Sequence, residues 1–350
     1  MLPSRESGCK GTNYLGVKSY ERGVISSALT FFMKQSAKNS QLPTLISQLF
    51  CTFGPEMRKE LSILIPMYNA DPRPTVKELC RQAQTIKDLD FELIVIDDGS
   101  TDKALVEQCW EISQWPNCRF MALEENIGRA RIRNLLCSMA RKEWLLYLDC
   151  DMTIFDPGFI INYLLAGGDV VYGGYKVGEA PKNNLRYRYE KANEHMHTAE
   201  QRRLRPYQHF HTANFLVRRS IMVEHPFDEQ FRTYGYEDVL FGKQLKQAGI
   251  NITHIANPAG FFTFEDNPHF VSKTEEGLRT LHDKRQQLRG YSQMLTAVEG
   301  IHIAPVRWLI CLWHWLFGWL ERRILCSKHP SLRIFKLYKL GYFLTIANKR

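Results

Sequence analysis

The sequence predicts an α/β protein with a mainly parallel sheet covered by helices on both faces. Three observations predict it. Short, almost wholly apolar runs recur at residues 61–66 (LSILIP), 91–98 (FELIVIDD), 144–149 (WLLYLD) and 169–175 (DVVYGGY). Strands buried on both faces, as in parallel sheets, read this way. Between the runs lie helical stretches at 73–87, 102–114 and 128–141, which serve as crossovers. Acid-rich motifs follow the apolar runs directly, and ligands of open α/β sheets bind beyond those strand ends.

The elements follow in order. The first run leads into Pro66-Met67-Tyr68-Asn69, where Tyr68 can stack on a base or cover the site. The second ends in Asp97-Asp98-Gly99-Ser100-Thr101-Asp102. Adjacent acids there can accept from a base N–H or a ribose hydroxyl, Gly99 and Ser100 make the turn, and Thr101 or Asp102 caps the next helix. A strand at 119–123 precedes NIGRARIRN (126–134) at the start of the third helix. Arg129 and Arg133 are four apart and share a face, and a basic face near a helix start suits a diphosphate. The run at 144–149 then delivers Asp149-Cys150-Asp151. Asp-x-Asp is a common pattern, but carboxylate oxygens suit Mn2+ or Mg2+ already carrying a diphosphate.

Residues 185–205 form a polar, charged helical stretch, too wet for a core, which carries acceptor contacts or is a solvated insertion. A strand returns at 211–217 (HTANFLV). After the turn PFDEQF, Glu237 and Asp238 open an amphipathic helix that Gly249 ends. Acids in a first helical turn ordinarily serve the helix dipole.

Composition narrows the function. The 350 residues are 44% hydrophobic and 24% charged, an ordinary globular balance with room for a full core. The net charge is +9, but residues 305–350 hold nine Lys/Arg against the single acid Glu321. The basic balance therefore belongs to the tail, and no nucleic-acid partner is expected. Nine scattered Cys without a C-x-x-C pair read as reduced thiols of a cytosolic protein. The His-x-His pairs at 195/197 and 209/211 have no Cys partners and read as polar helix or loop histidines. No G-x-x-x-x-G-K-[ST], G-x-G-x-x-G or G-x-S-x-G occurs. Residues 1–56 have weak periodicity and read as an N-terminal extension, with Met57 a candidate natural start.

The tail, PVRWLICLWHWLFGWLERR (305–323), differs from everything before it. Its apolar run of 13 residues, Trp308 to Leu320, is short of the roughly 20 that span a bilayer. On a helix Trp308, Leu312, Trp315 and Trp319 share a face, with Arg residues at both ends. Residues 332–344 repeat the pattern with Lys336 and Lys339 interleaved. Both read as monotopic anchors on a cytoplasmic membrane face; packing on the domain or a partner chain is the alternative.

SILIPMYN, LIVIDDGSTD, NIGRARIRN, LLYLDCD, TANFLVRRS and FDEQFRTYGYEDVLFGKQLKQAG occur in that order. As an ordered set over residues 61–270 they resemble family 2 glycosyltransferases of the GT-A fold. The last block is similar to the acceptor-side half of polysaccharide-building members and of polypeptide N-acetylgalactosaminyltransferases. The resemblance implies a nucleotide-sugar half at 57–175, an acceptor half at 176–300 and a separate tail at 301–350. It implies a nucleotide-diphosphate sugar donor, a saccharide or lipid-linked acceptor, and Mn2+ or Mg2+. Pro66, Tyr68 and Asp98 would line the nucleoside pocket with Asp97 supporting, and Arg133 would lie near the diphosphate. Asp149 would touch ribose or donor sugar, and Asp151 would hold the metal. Asp238 would be the general base, Glu237 would orient hydroxyls, and Asn214 would shape the acceptor side. One departure stands out: residues 257–265, where many relatives carry a metal-ligating His, contain none. The metal is thus expected on Asp151, diphosphate and water. The implied activity is an inverting, metal-dependent transfer at the inner membrane face, in surface glycan synthesis. The rival readings are a non-catalytic nucleotide-sugar-binding subunit and, on weaker grounds, a sugar-phosphate nucleotidyltransferase.

Overall fold

The computed structural model describes residues 57–231 and 234–347; the expected extension at 1–56 lies outside them. Strands β1 (Glu60–Met67), β2 (Asp90–Asp97), β3 (Cys118–Ala122), β4 (Trp144–Leu148), β6 (Val170–Tyr172), β8 (Asn214–Arg218) and β9 (Ile252–His254) form a seven-stranded sheet. Its order is β3-β2-β1-β4-β8-β6-β9, and a small sheet joins β5 (Met152–Thr153), β10 (Ala259–Phe261) and β7 (Tyr175–Val177). In the large sheet only β8 runs antiparallel to its neighbours. The expected α/β class, the mainly parallel sheet and the C-terminal helical tail are all present.

The apolar runs are continuous because alternate side chains enter two different cores. Ile63, Ile65, Leu93, Val95, Leu146 and Leu148 meet Val76 and Leu79 of α1 (Arg73–Thr85) and Phe159 of α4 (Phe159–Leu165). Leu64, Ile94, Ile96, Leu145 and Tyr147 face the other way. They meet Ile132 and Leu136 of α3 (Arg129–Met139) and Phe241 and Leu245 of α8 (Glu237–Gln247). The pairing Met67↔Asp97 brings the ends of β1 and β2 to one sheet edge. Because β8 is antiparallel, it starts where β4 ends, with Leu148 opposite Asn214. His211 therefore arrives at the same edge as Asp149 and Asp151.

Two expectations are corrected here. The strand expected at 169–175 is two strands in two sheets, β6 and β7, parted by Gly173-Gly174. A Cβ at Gly173 would lie 2.3 Å from the Asn257 carbonyl oxygen, and Gly174 has φ +86° with the Arg202 guanidinium 2.8 Å from where its Cβ would be. The polar stretch 185–205 is not a solvated insertion. It forms α5 (Leu185–Asn193), a 3-10 turn (Glu194–His197) and α6 (Ala199–Leu204), and Leu185, Glu190 and Arg202 are buried. Arg202 donates to the carbonyls of His197 (3.0 Å), Tyr172 (3.0 Å), Gly173 (3.0 Å) and Ile255 (2.8 Å). A polar sequence is thus an internal brace.

The tail divides in the same manner. After α9 (Asn267–Asp283), α10 (Arg285–Leu288) and α11 (Gln293–Glu299), helix α12 (Ala304–Leu325) runs against α13 (Leu332–Ala347). Helix α13 is not a second surface anchor, because its Phe343 and Leu344 share a core with Leu278 and Leu281 of α9. Burial among Tyr189 and Phe335 also pushes the Lys339 ammonium down to about 8, with Lys336 adding to the effect. Helix α12 is inverted. Its inward stripe holds Gly318 and Glu321, with Glu321 accepting from Trp313 Nε1 at 2.9 Å and paired with His314 Nδ1 at 3.3 Å. Trp308, Trp315 and Trp319 face out, 62%, 75% and 65% exposed.

Arg202 has no acidic partner among the described residues, so its burial is compensated by the four carbonyls, with His254 Nδ1 at 3.3 Å and the Tyr172 ring 4.6 Å away adding to them. Arg202→Met should destabilise the protein by about 3 kcal/mol or more, through stranded carbonyls rather than lost volume. Urea denaturation of the two proteins measures it.

Candidate active site

The turn after β2 is held by its own acids. Asp97 is fully buried and accepts from the Ser100 N–H at 3.0 Å and from the Ser100 hydroxyl. Asp98 accepts from the N–H groups of Ile127 (2.7 Å) and Gly128 (3.2 Å), which pins the loop that opens α3. Burial nevertheless pushes the Asp98 carboxyl up, against the pull of those two donors. Gly99 is required at φ +68°, since a Cβ there would strike the Glu125 backbone at 2.4 Å. The expected nucleoside contacts thus have only the remaining lone pairs of these carboxylates. Asn69 ties the turn to β1, its Oδ1 accepting from the Thr101 N–H at 2.9 Å. Pro66 lies half-buried at the end of β1, and the Tyr68 ring beyond it is 46% exposed.

Two arginines of α3 and two acids from distant elements form a compact charge cluster. Arg133 Nη2 donates to Asp149 Oδ1 at 2.6 Å, and its Nη1 lies 3.6 Å from Glu237 Oε1. Arg129 lies 3.5 Å from the same Glu237 oxygen and 4.0 Å from Asp149 Oδ2, with its guanidinium 5.0 Å from the Tyr234 ring centre. Arg133 is buried beneath this layer, whereas the Arg129 side chain is 45% exposed. The guanidinium open to a ligand is therefore Arg129, and Arg133 anchors Asp149. Burial pushes the Glu237 carboxyl up, and Arg129 and Arg133 only partly offset it.

Asp151 differs from Asp149. It is exposed, and no side-chain bond to another described residue engages its carboxylate. Crowding by the protein and the neighbouring Asp149 push its carboxyl up, while Arg129 and Arg186 pull the other way. A carboxylate left free beside a second acid suits a cation. No group of three or more His, Cys, Asp or Glu among the described residues is arranged to hold one. The donor set therefore fits an ion that arrives with most of its ligands, as a nucleotide diphosphate complex does. His254, which flanks the His-free loop, is buried and bonded to the Pro206 carbonyl at 2.9 Å.

The first turn of α8 aims two consecutive acids in different directions. Gly235 (φ +98°) and Tyr236 (φ +69°) set the entry. Glu237 joins the arginine cluster, and Asp238, about 100° further round the helix, meets His211. The His211 Nδ1 to Asp238 Oδ2 distance is 2.9 Å, and the Val239 N–H donates to Asp238 Oδ1 at 2.8 Å. Burial alone would raise the Asp238 carboxyl, but His211 and that N–H outweigh it and hold it low. Burial would likewise lower His211, and Asp238 reverses this, leaving the ring above its ordinary value. His197 instead contacts the Tyr175 hydroxyl at 2.8 Å and is pushed down to about 3 by burial and by His211. Asn214 is fully buried: Tyr163 OH donates to its Oδ1 at 2.7 Å, and its Nδ2 donates to the carbonyls of Gly174 and Asn257. It can shape the site only from beneath.

Sequence reasoning missed His211, Arg129 as the exposed member of its pair, and Arg186, whose guanidinium lies between Phe261 and Phe270. The placement of His211 beside Asp238 spans 27 residues and leaves no local signal.

The pair fixes a pH dependence. Asp238, held below its ordinary 3.8, contributes stability above that pH and loses it as pH falls through its folded value. His211, held above its ordinary 6.5, contributes fully below 6.5 and loses it as pH rises through its folded value. The pair therefore stabilises most between about pH 4 and 6.5. The stability difference between the natural protein and His211→Ala, from urea denaturation at several pH values, should shrink above pH 6.5. A difference that stays constant to pH 9 would contradict the ion pair.

Parts of the chain are similar to known proteins. Residues 62–225 match the family model described as glycosyl transferase family 2. Poly(ribitol-phosphate) β-N-acetylglucosaminyltransferase TarP of Staphylococcus aureus is 29% identical over 142 residues, 39% of this chain and 42% of TarP. A teichoic acid poly(glycerol phosphate) polymerase of Staphylococcus epidermidis is 34% identical over 94 residues, 26% of this chain and 13% of the polymerase. The chain thus spans less than half the length of these relatives. The crystal structure of S. aureus TarS residues 1–349 with UDP-GlcNAc superposes with a TM-score of 0.42 at 17% identity, covering 82% of this chain and 90% of that one. With strand-end acids placed along one sheet edge, residues 62–225 of the chain form a domain that matches glycosyl transferase family 2.

Proposed function

We propose that the chain moves a sugar, with inversion, from a nucleotide-diphosphate donor to a hydroxyl of a saccharide or lipid-linked acceptor in surface glycan synthesis. The observation that carries this is the division of labour at one sheet edge. A free carboxylate (Asp151) and an exposed guanidinium (Arg129) belong to the β4 and α3 side, and a paired carboxylate (Asp238) belongs to α8. The names of the relatives, TarP above all, support an N-acetylhexosaminyl or hexosyl donor and a glycan acceptor.

In this reading the acceptor O–H gives its proton to Asp238 as its oxygen bonds to the anomeric carbon, and the bond from that carbon to the diphosphate oxygen breaks. Arg129 takes up charge gathering on the leaving diphosphate. Glu237 and Asp149 hold Arg129 and Arg133 in place and face the donor sugar. Asp151 would hold Mn2+ or Mg2+, which when bound neutralises the same diphosphate. His211 fixes the Asp238 carboxylate and stabilises its charged form. Tyr68 offers a stacking face to the base.

Asp238→Asn should lower kcat by about 10²–10⁴-fold while leaving nucleotide binding intact. Asp151→Ala should instead abolish metal-dependent nucleotide binding, read by a thermal-shift titration with and without Mn2+. Unaltered turnover in Asp238→Asn would sink the assignment.

We also propose that α12 lies in a membrane interface. No helix among the described residues is long and apolar enough to cross a membrane. Its outward Trp face with Arg residues at either end suits the headgroup boundary. The α13 side chains in the acceptor-half core make truncation at residue 300 an unsuitable test, because it would open that core. Trp315→Glu with Trp319→Glu should leave the fold intact and cut co-sedimentation with anionic lipid vesicles by about tenfold or more; undiminished binding would rule the face out.

A further inference from the structure

A cavity of about 690 Å³ lies away from the cluster of catalytic acids, in the range of small-ligand sites. The segment after α6, the last turn of α8 and the loop from α10 into α11 wall it. Its wall includes Arg205 and Lys246, the rings of Tyr207 and Tyr291, and no carboxylate. Neither Arg205 nor Lys246 has an acidic partner among the described residues. The Lys246 ammonium lies between the rings, 5.9 Å from the centre of Tyr207 and 5.7 Å from that of Tyr291. Lys246 complements the dipole at the end of α8, but that role requires neither tyrosine. Two aromatic faces beside unpaired cations form a surface for polyol or sugar rings that carry negative charge.

The cavity is physically continuous with the catalytic base. Asp238, Gly242 and Lys246 recur every four residues along one stripe of α8. The segment 205–211 runs beside that stripe. At one end His211 meets Asp238 at 2.9 Å. In the middle, a Cβ on Gly242 would lie 2.4 Å from the Tyr207 carbonyl oxygen, so only glycine lets the segment lie this close. At the far end Tyr207 meets Lys246. Base and cavity are separated by eight residues of helix, about 12 Å at 1.5 Å per residue.

We propose that this cavity is a second acceptor subsite, which holds an anionic stretch of a saccharide or polyol chain whose terminal hydroxyl reaches Asp238. The proposal rests on the glycosyl-transfer reading for its purpose, but its binding test needs no turnover. Isothermal titration of the full chain uses three probes: an oligomeric glycerol phosphodiester, an oligogalacturonate and a neutral dextran oligomer. At least one anionic probe should bind, with dextran at least tenfold weaker, and the stronger of the two distinguishes phosphate from carboxylate as the charged group. Lys246→Glu should weaken the anionic probe at least tenfold and Tyr291→Ala at least fivefold. Lys246→Gln, at an exposed position, keeps the fold and should give a smaller loss. With an anionic acceptor, Lys246→Gln should raise KM and leave kcat and nucleotide-sugar hydrolysis unchanged. Equal binding of dextran, no binding of either anionic probe, or affinity untouched by Lys246→Glu and Tyr291→Ala would overturn the subsite. Binding of an anionic probe without any sugar transfer by the natural protein from a panel of nucleotide sugars would overturn the glycosyl-transfer reading instead.

Discussion

Two guanidiniums between two carboxylates hold the site together. Arg129 and Arg133 leave one face of α3, Asp149 leaves the end of β4, and Glu237 opens α8. The shared apolar core of Tyr147, Ile132, Leu136 and Phe241 packs these elements together, and the charges fix how their ends meet at the sheet edge. Taking such groups out of water costs several kcal/mol per ion, and mutual attraction offsets this only when the geometry is close and each charge has more than one partner. Both conditions hold here: the Glu237 oxygen meets two guanidiniums, and Arg133 meets both acids. Its net contribution to stability is modest on these grounds. Its contribution to geometry is large, because removing one member leaves an uncompensated charge at the sheet edge.

The pattern of burial explains what the sequence could convey. Continuous apolar runs were readable as strands because each alternate residue had a core to enter, and the motif order followed from strand ends sharing an edge. Asp149 and Asp151 were legible as acids at such an end, and Glu237 and Asp238 as acids opening a helix. The assignment of Arg133 to the diphosphate was not secure in the same way, since two arginines four apart differ in exposure only by the rotation of α3. His211 and Arg202 were opaque for a different reason. Each is explained by a partner far along the chain, and nothing in the neighbouring residues changes when that partner is present. The polar stretch at 185–205 looked wet because its carbonyl partners lie on β6 and beyond β9.

Helices α12 and α13 show the same limit in apolar sequence. Both mix aromatic and basic residues, and both fit an interfacial pattern. Packing separates them. Gly341 of α13 comes so close to His314 that a Cβ would sit 2.7 Å from the His314 Cβ, so the polar stripe of α12 faces its neighbour. The tryptophans are left outside by this contact and not by any property of their own segment.

Tyr236 carries a consequence for redesign. A non-glycine residue in the left-handed region costs about 1–2 kcal/mol, and Asn or Gly would relieve it. A stability-guided replacement would therefore choose one of them. Yet the Tyr236 ring lies in the cluster of Leu240 and Leu278, and its position sets the direction in which the first turn of α8 begins. Local backbone preference and tertiary contact disagree at this residue, one step before the acids that define the site. Optimising the first would loosen the second, so thermal stability is a poor guide to improvement at this helix start.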